Sequence, residues 1–185
     1  MGQATREITR VLSAMEKGEP AAPSELFGLI YGELRSRAER LMSAERRDHT
    51  LQPTALVNEA FLKVAKPGVS FESKLHFYNA ASLAMRRILV DHAKGRRAEK
   101  RGGEWEQLSL ADVGEATDQT IDVIALDDAL TKLGELSPRQ AQVVQLRFFG
   151  GLTEQEVADL LGVTYKTVRR DWSAARVWLH SEMSE

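Results

Sequence analysis

Apolar residues recur at intervals of three and four along most of the chain, the spacing that places them on one face of an α-helix. The first such stretch ends at Gly18 and Pro20, and the second begins after Pro23 with Ser24 as its expected N-cap. Both stretches therefore predict amphipathic helices. Their apolar stripes are Ile8, Val11, Leu12 and Met15, then Leu26, Ile30, Leu34, Ala38 and Leu41.

The same period predicts two more helices before residue 98. The third begins near Pro53 and Thr54 and ends at Pro67 and Gly68, while the fourth begins at Ser73. Their apolar stripes are Leu56, Val57, Ala60, Phe61 and Val64, then Phe77, Ala81, Ala84 and Ile88. Residues 1–98 are accordingly predicted to form one helical domain.

Capping signals accompany the apolar period in residues 123–185. Ser137 followed by Pro138 and Gln140 is typical of a capping box at the start of a helix. Thr153 followed by Glu156 is a second such box. The apolar positions of the first two helices are Ile124, Leu126, Leu130 and Leu133, then Val143, Val144, Leu146 and Phe148. We predict a second domain of four helices here.

Residues 154–172 meet the packing requirements of a helix-turn-helix. Val157 and Leu161 are spaced to face a core, Ala158 is small where the two helices cross, and Gly162 permits a tight turn. After the turn, Thr164 is placed to cap a helix that runs from about residue 165 to 179. Its outward residues suit base edges and phosphates in a major groove. They are Lys166, Thr167, Arg169, Arg170, Ser173 and Arg176. The alternative interpretation is a helical hairpin with a solvated basic face.

The segment between the two domains, residues 99–122, loses the apolar period and is rich in glycine and acids. Such a composition predicts a flexible acidic linker. No stretch alternates apolar and polar residues for long enough to predict a sheet. The expected fold is therefore all-α, with two small helical domains joined by a flexible acidic linker, the second containing the helix-turn-helix.

The net charge is −2, yet the charges are segregated along the chain. Residues 86–101 are strongly basic, whereas residues 104–128 contain acids and no base. We expect the acidic linker to keep the domains apart but able to close on one another in the unbound protein. The opposite charges would then mask a DNA-binding surface, an association that salt weakens. Asp171 lies among the bases of the last helix, where it either repels phosphate or pairs with an arginine.

No arrangement of residues indicates an enzyme, a cofactor or a metal site. The chain contains no cysteine, which excludes disulfides and thiolate metal ligands. The histidines lack metal-ligand spacing, and no glycine-rich loop is placed to hold phosphate. The four histidines are His49, His76, His92 and His180. With no long apolar run and no apolar leader, we expect a cytoplasmic protein without membrane insertion.

These stretches together resemble a known family of bacterial transcription proteins. Residues 133–179, above all 136–140, 151–158 and 161–163, resemble region 4 of sigma factors. Residues 55–64 resemble the polymerase-clamp helix of region 2, and Phe71, Phe77, Tyr78 and residues 85–92 resemble its promoter-melting part. With only a linker between the two regions, the layout resembles the extracytoplasmic-function (ECF) group.

The resemblance implies a transcription initiation factor that joins core RNA polymerase, binds the −10 and −35 promoter elements and assists melting. The last helix would then read the −35 element. The residues it implies for the −10 element and the DNA backbone are Phe71, Ser73, Lys74, Arg86, Arg87, Lys94, Arg96 and Arg97. By spacing, Phe77 is favoured as a core residue over a stacking platform. The competing interpretation is a helix-turn-helix regulator that binds duplex DNA as a dimer without polymerase.

The resemblance also implies contacts with the clamp and flap of the polymerase, made by a chain that is monomeric when free. Residues implied at the polymerase surface are Leu56, Val57, Asn58, Glu59 and Phe61. An anti-sigma factor or a Ser/Thr kinase is a candidate regulator.

The start of the clamp helix departs from the family, because Pro53, Thr54 and Ala55 stand where acids are usual. Thr54 and Thr50 are therefore candidate phosphorylation sites, at which a phosphate would supply the missing negative charge. The alternative role of Thr54 is to cap the helix.

Overall fold

The computed structural model describes residues 3–42, 51–66, 69–99, 107–109 and 120–184. The described chain is helical apart from one short pair of strands, as the all-α prediction required. The helices are α1 (Gln3–Glu16), α2 (Ala22–Leu41), α3 (Pro53–Val64), α4 (Lys74–Glu99), α5 (Val123–Leu136), α6 (Pro138–Val144), α7 (Glu154–Leu161) and α8 (Tyr165–Glu182). Predicted features outside these ranges are Thr50, the helix stop at Pro67 and Gly68, His49, and most of the linker.

The predicted apolar stripes of α1 to α4 all face one core. Leu26 and Ile30 of α2, Leu56 of α3 and Phe77 of α4 are fully buried, so Phe77 is a core residue as its spacing indicated. Rings of Phe61 and Phe77 lie 6.3 Å apart between centroids, within the range of favourable aromatic pairs. The four helices are thus held by apolar packing along their predicted faces.

Helix ends differ from the prediction at two places. Helix α2 begins at Ala22 with Ala21 as its N-cap, so Ser24 lies inside the first turn and its predicted capping role is wrong. Pro23 fits that turn because the first N–H groups of a helix need no partner within it. At α6, Ser137 is the N-cap residue, but in the described chain its side chain accepts no capping hydrogen bond, so the predicted box does not form.

Helix α6 continues directly into a π-helical turn, Gln145–Phe149, which the sequence did not predict. The Gly150 N–H donates to the Gln145 carbonyl at 3.2 Å, the five-residue bond that defines such a turn. A Cβ at Gly150 would lie 2.4 Å from the carbonyl oxygen of Leu146 and 3.2 Å from the Cβ of Ser82 on α4. Only glycine fits there, and the π-turn therefore packs tightly against α4.

Two three-residue strands, β1 (Gln107–Ser109) and β2 (Thr120–Asp122), pair antiparallel. They lie within the predicted linker, where no strand was expected, because three residues are too few to give an alternating pattern. Asp122 then caps α5, accepting from the N–H of Ile124 at 2.8 Å. The rest of the predicted linker, residues 100–106 and 110–119, lies outside the described chain.

A polar cluster joins α2 to the start of α4. Tyr78 is buried and donates from its hydroxyl to a Glu33 carboxylate oxygen at 2.6 Å, while Lys74 Nζ lies 2.9 Å from the other oxygen. Arg37 stacks 4.1 Å above the Tyr78 ring. Although burial opposes ionisation of Glu33, the hydrogen bonds from Tyr78 and Lys74 hold its pKa below the ordinary value. Burial, reinforced by Glu33, raises the pKa of Tyr78.

Removing this hydroxyl should make the protein less stable, and by an amount that depends on pH. A lowered carboxyl pKa stabilises the fold above the unfolded value of about 4.3 and ceases to do so as pH falls through the folded value. We expect Tyr78→Phe to lower the free energy of unfolding by about 1 kcal/mol at neutral pH, a modest value because the Glu33 side chain is 44% exposed. Denaturant titrations at about pH 7 and about pH 3 should find the difference reduced at the lower pH.

The control is Tyr165→Phe, since Tyr165 is 43% exposed on α8. It should leave the free energy of unfolding unchanged at both pH values. If Tyr78→Phe lowers the free energy of unfolding equally at both pH values, the proposed link to Glu33 is contradicted.

Candidate nucleic-acid interface

Helices α7 and α8 are joined by a tight turn whose ends are defined by local hydrogen bonds. The capping box at the start of α7 forms as predicted: Thr153 Oγ1 accepts from the Glu156 N–H at 3.2 Å, and Glu156 accepts from the Thr153 N–H at 2.8 Å. Gly162 ends α7 with φ of 65°, in the left-handed region that favours glycine. Thr164 then caps α8 by accepting from the Thr167 N–H, again as predicted.

Apolar anchors hold α8 against the helices before it. Val157 and Ala158 of α7 are buried, as are Val168, Trp172 and Leu179 of α8. Leu161, predicted to face the core, is half-buried. Because these anchors occupy one side of α8, the other side is directed outward.

The predicted DNA-contacting residues of α8 fall into two groups by exposure. Those exposed are Lys166, Arg169, Arg170 and Ser173, and those half-buried are Thr167 and Arg176. The Thr167 hydroxyl lies 2.9 Å from that of Thr164, so it supports the helix start. Tyr165, which the sequence analysis did not include, is the first residue of α8 and is 43% exposed beside this group. The helix therefore presents a mainly cationic face at its N-terminal half.

Asp171 does not lie on that face. It is only 2% exposed and pairs with Arg139 of α6, whose Nε donates at 2.5 Å and whose Nη2 donates at 3.3 Å. The hydrogen bond to Asp171 raises the pKa of Arg139. Of the two expectations for Asp171, pairing with an arginine is the correct one, and the carboxylate positions α8 on α6.

Arg147 forms a second internal support that sequence reasoning missed. Its Nη1 donates to Glu154 at 2.8 Å, and its guanidinium lies 4.7 Å from the Trp172 ring centroid. Burial lowers the pKa of Arg147, and the opposite charge of Glu154 counteracts part of that effect. The pattern gave no signal for this contact, because Arg147 lies in the unpredicted π-turn. It ties the start of α7 and the middle of α8 to the preceding segment.

The residues predicted at the −10 element are partly engaged inside the protein. Phe71 is half-buried and packs edge-on against Phe77, with ring centroids 5.2 Å apart. Ser73 caps α4 by accepting a backbone N–H at 3.2 Å, as predicted for the helix start. Lys74 pairs with Glu33. These three residues therefore have structural roles in the described chain.

The basic end of α4 is mostly accessible. Arg87, Lys94 and Arg97 are exposed and Arg96 is half-buried. Arg86 differs, because its guanidinium points toward α5 and pairs with Asp127 at 2.7 Å. Four of the five predicted phosphate-contacting bases of α4 thus remain at or near the surface.

The predicted polymerase-binding residues of α3 are divided between core and surface. Leu56, Val57 and Phe61 are buried, so in this conformation their side chains pack in the core and are not exposed for binding. Asn58 and Glu59 are exposed. Leu62, which was not predicted, is 72% exposed beside them.

Thr54 is half-buried in the first turn of α3, whose N-cap residue is Gln52, so the alternative role of Thr54 as the cap is wrong. Thr50, the other candidate phosphorylation site, lies outside the described residues.

Comparison with known families agrees with this geometry. The sequence pattern of the family described as ECF sigma factor matches residues 5–185. The chain therefore belongs to the ECF sigma factor family, a group of non-enzymatic, DNA-binding transcription proteins that act with RNA polymerase. A search of curated proteins found no relative that matches this chain.

Two other features of the described residues concern metal binding and membrane insertion. Within them, no group of three or more His, Asp or Glu side chains is arranged to hold a metal ion. No helix of the described chain has the length and apolarity needed to cross a membrane.

The left-handed turn between α7 and α8 gives a test with a matched control. A Cβ at Gly162 meets open space in the described structure, so Gly162→Ala should cost only the backbone strain of φ 65°, about 1–2 kcal/mol. Gly28, exposed within α2, also has open space around it. Gly28→Ala should instead stabilise the protein by about 0.5–1 kcal/mol. Thermal unfolding of both variants checks the opposite signs, and a stabilising Gly162→Ala would refute the turn geometry.

Proposed function

We propose that the protein is a transcription initiation factor that binds core RNA polymerase, directs it to −10 and −35 promoter elements and assists promoter melting. The observation that carries the proposal is the cationic outer face of α8 in a member of the ECF sigma factor family. Its exposed Lys166, Arg169 and Arg170 follow a capped helix start, where side chains reach base edges in a major groove. The protein would act in the cytoplasm as a monomer until it meets the polymerase.

In this proposal the chain has two functional parts. Residues 1–98 form a region 2-like domain that binds the clamp and the −10 element, and residues 123–185 form a region 4-like domain that reads the −35 element. Residues 99–122 connect them. Helices α7 and α8 are the helix-turn-helix, with α8 as the recognition helix. Support comes from the Thr153 capping box, the turn at Gly162 and the buried anchors of α8.

The basic residues at the end of α4 would hold the DNA backbone near the −10 element. Arg87 and Lys94 are exposed there, and phosphate contacts of this kind release counterions. Binding should therefore weaken steeply with salt. The aromatic side chain proposed to meet an unstacked base is Phe71, which is half-buried against Phe77.

On the polymerase side, the exposed face of α3 is the proposed clamp contact. Asn58 and Glu59 provide polar groups and Leu62 an apolar one, while Leu56 and Val57 fix the helix from within. This face also carries the Glu59–Lys63 ion pair at 3.1 Å, so it combines one apolar group with charged and polar ones. The flap would bind the C-terminal helices.

The deciding experiment is transcription in vitro with purified core polymerase, using promoters selected from a random library by the holoenzyme. We expect no initiation from core alone and specific initiation when the protein is added. Arg169→Ala and Arg170→Ala should each lower initiation at the selected promoter about 5- to 150-fold, the equivalent of a lost base contact of about 1–3 kcal/mol. Binding to core should be unchanged in both variants.

Lys17→Ala is the control, because it removes one exposed positive charge at the end of α1. It should leave initiation at the wild-type rate. Specific binding of duplex DNA as a dimer, with no effect of core polymerase, would refute the proposal in favour of an independent regulator.

We also propose that a Ser/Thr kinase controls clamp binding through Thr54. The residue lies in the first turn of α3, where the helix dipole favours negative charge. Phosphate there would add about −1.5 to −2 charges. We expect Thr54→Glu to bind core polymerase more tightly than the unmodified protein and Thr54→Ala to resist activation by kinase. Equal affinity of all three forms for core would exclude this control, and repeating the series at Thr50 separates the two sites.

A further inference from the structure

Arg139, the second residue of α6, uses only part of its guanidinium for contacts within the protein. Its Nε donates to one oxygen of the Asp171 carboxylate at 2.5 Å, and its Nη2 donates to the other at 3.3 Å. A guanidinium has five N–H groups. The remaining three, two on Nη1 and one on Nη2, have no partner among the residues that the structure describes.

Asp171 holds this arginine next to an exposed residue of the recognition helix. The same carboxylate lies 3.9 Å from Nε of Arg170. Arg139 and Arg170 therefore flank one carboxylate, and their side chains are 48% and 74% exposed. Because Asp171 itself is buried, the charge that reaches the surface at this place is positive.

Arg139 lies at the flank of the outward face of α8. Lys166, Arg170 and Ser173 are three or four residues apart and exposed, so they share that face. Arg139 lies beyond Arg170, on the far side of the shared carboxylate. A helix with its side chains is about 10–12 Å across and a major groove is about 12 Å wide, so the flanks of a helix in the groove face the phosphates along its walls.

The unused donors of Arg139 suit a phosphate group. With Nε and one N–H of Nη2 directed at Asp171, the opposite edge of the guanidinium presents one N–H of Nη1 and one of Nη2 side by side. Such a parallel pair matches two phosphate oxygens. Asp171 also fixes the guanidinium in advance, which removes much of the conformational entropy that a freely moving arginine loses on binding.

We propose that Arg139 binds a DNA phosphate beside the groove that α8 occupies, and that Asp171 is the positioning residue that holds its guanidinium in place. The inference rests on the proposed function, because it requires α8 to lie on duplex DNA at the −35 element. Phosphate contacts fix the register of a protein on DNA without reading its sequence. Arg139 would thus determine where Arg169 and Arg170 meet the base edges.

The test is the salt dependence of promoter binding by the holoenzyme formed from core polymerase and the full chain. Each lost phosphate contact lowers the slope of log affinity against log salt concentration by about 0.9. Arg139→Gln alone would leave the buried Asp171 carboxylate without its partner. The deciding form is therefore the double variant Arg139→Gln with Asp171→Asn, which removes both charges and leaves the net charge at −2.

We expect this double variant to bind the selected promoter more weakly and with a slope lower by about 0.9. Its deficit relative to the wild type should therefore shrink about 3- to 4-fold between about 50 and about 200 mM salt. The deficit should be the same at promoters with one altered −35 base pair, because a phosphate contact carries no sequence information. An ion pair that only supports the fold predicts an unchanged slope.

The matched control is the double variant Arg35→Gln with Glu39→Gln on α2. Arg35 Nε donates to Glu39 at 2.8 Å, and the Arg35 side chain is 50% exposed, close to the exposure of Arg139. Removing this pair also leaves the net charge unchanged. It should leave both the slope and the promoter affinity at the wild-type values.

Asp171→Asn alone tests the positioning role. The amide still accepts one hydrogen bond from Arg139 but no longer holds two, so promoter binding should weaken about 2- to 10-fold, the cost of ordering a long side chain on binding. The slope should not change, because the Arg139 charge remains. Affinities are measured well below the thermal unfolding midpoint of each variant, so that a loss of stability does not contribute. If Asp171 merely repelled phosphate, its removal would tighten binding instead.

These outcomes separate the phosphate contact from the proposed function. A wild-type holoenzyme that binds no promoter would overturn the proposed function and this inference with it. If the wild type binds and initiates while the Arg139→Gln, Asp171→Asn double variant keeps the wild-type slope, only the phosphate contact of Arg139 is overturned. A lowered slope in that double variant, together with tighter binding by Asp171→Asn alone, would retain the contact and exclude Asp171 as its positioning residue.

Discussion

The close approach of α4 to the π-turn is the contact on which the arrangement of the described helices depends. Ser82 is fully buried there, and a Cβ at Gly150 would lie 3.2 Å from the Ser82 Cβ. Since the π-turn leads directly into α7 and α8, this contact fixes α8 relative to α4. Beside it, Arg86 donates a hydrogen bond to Gln145. Close packing and hydrogen bonding therefore occur at the same contact.

Those parts of the fold that depend on neighbouring residues were predictable from the sequence. The helical stripes, the capping box at Thr153, the cap at Thr164 and the glycine turn at Gly162 all follow from residues a few positions apart. The π-turn was not predictable, because its extra residue is stabilised by packing against α4 and leaves the apolar spacing unchanged. Ser137 illustrates the converse, a residue of the right type whose hydroxyl makes no cap within the described chain.

The candidate site likewise has parts that the sequence predicts and parts that it does not. The exposure of Lys166, Arg169 and Arg170 followed from helical period alone. The pairing of Asp171 with Arg139 did not, since a sequence does not say which of several arginines a buried carboxylate meets. Charge segregation along the chain indicated that the halves attract each other, but only the structure identifies Arg86 and Asp127 as the pair and leaves α8 uncovered.

Sequence separation also sets an order in which these contacts form. The Arg139–Asp171 pair joins residues 32 apart, whereas Arg86 and Gln145 are 59 apart. Closing a longer loop costs more chain entropy and slows the contact that depends on it. During synthesis α4 leaves the ribosome well before the π-turn, so Arg86 has to wait for Gln145 to be made. We therefore expect the junction between the halves to assemble after the helices on each side of it.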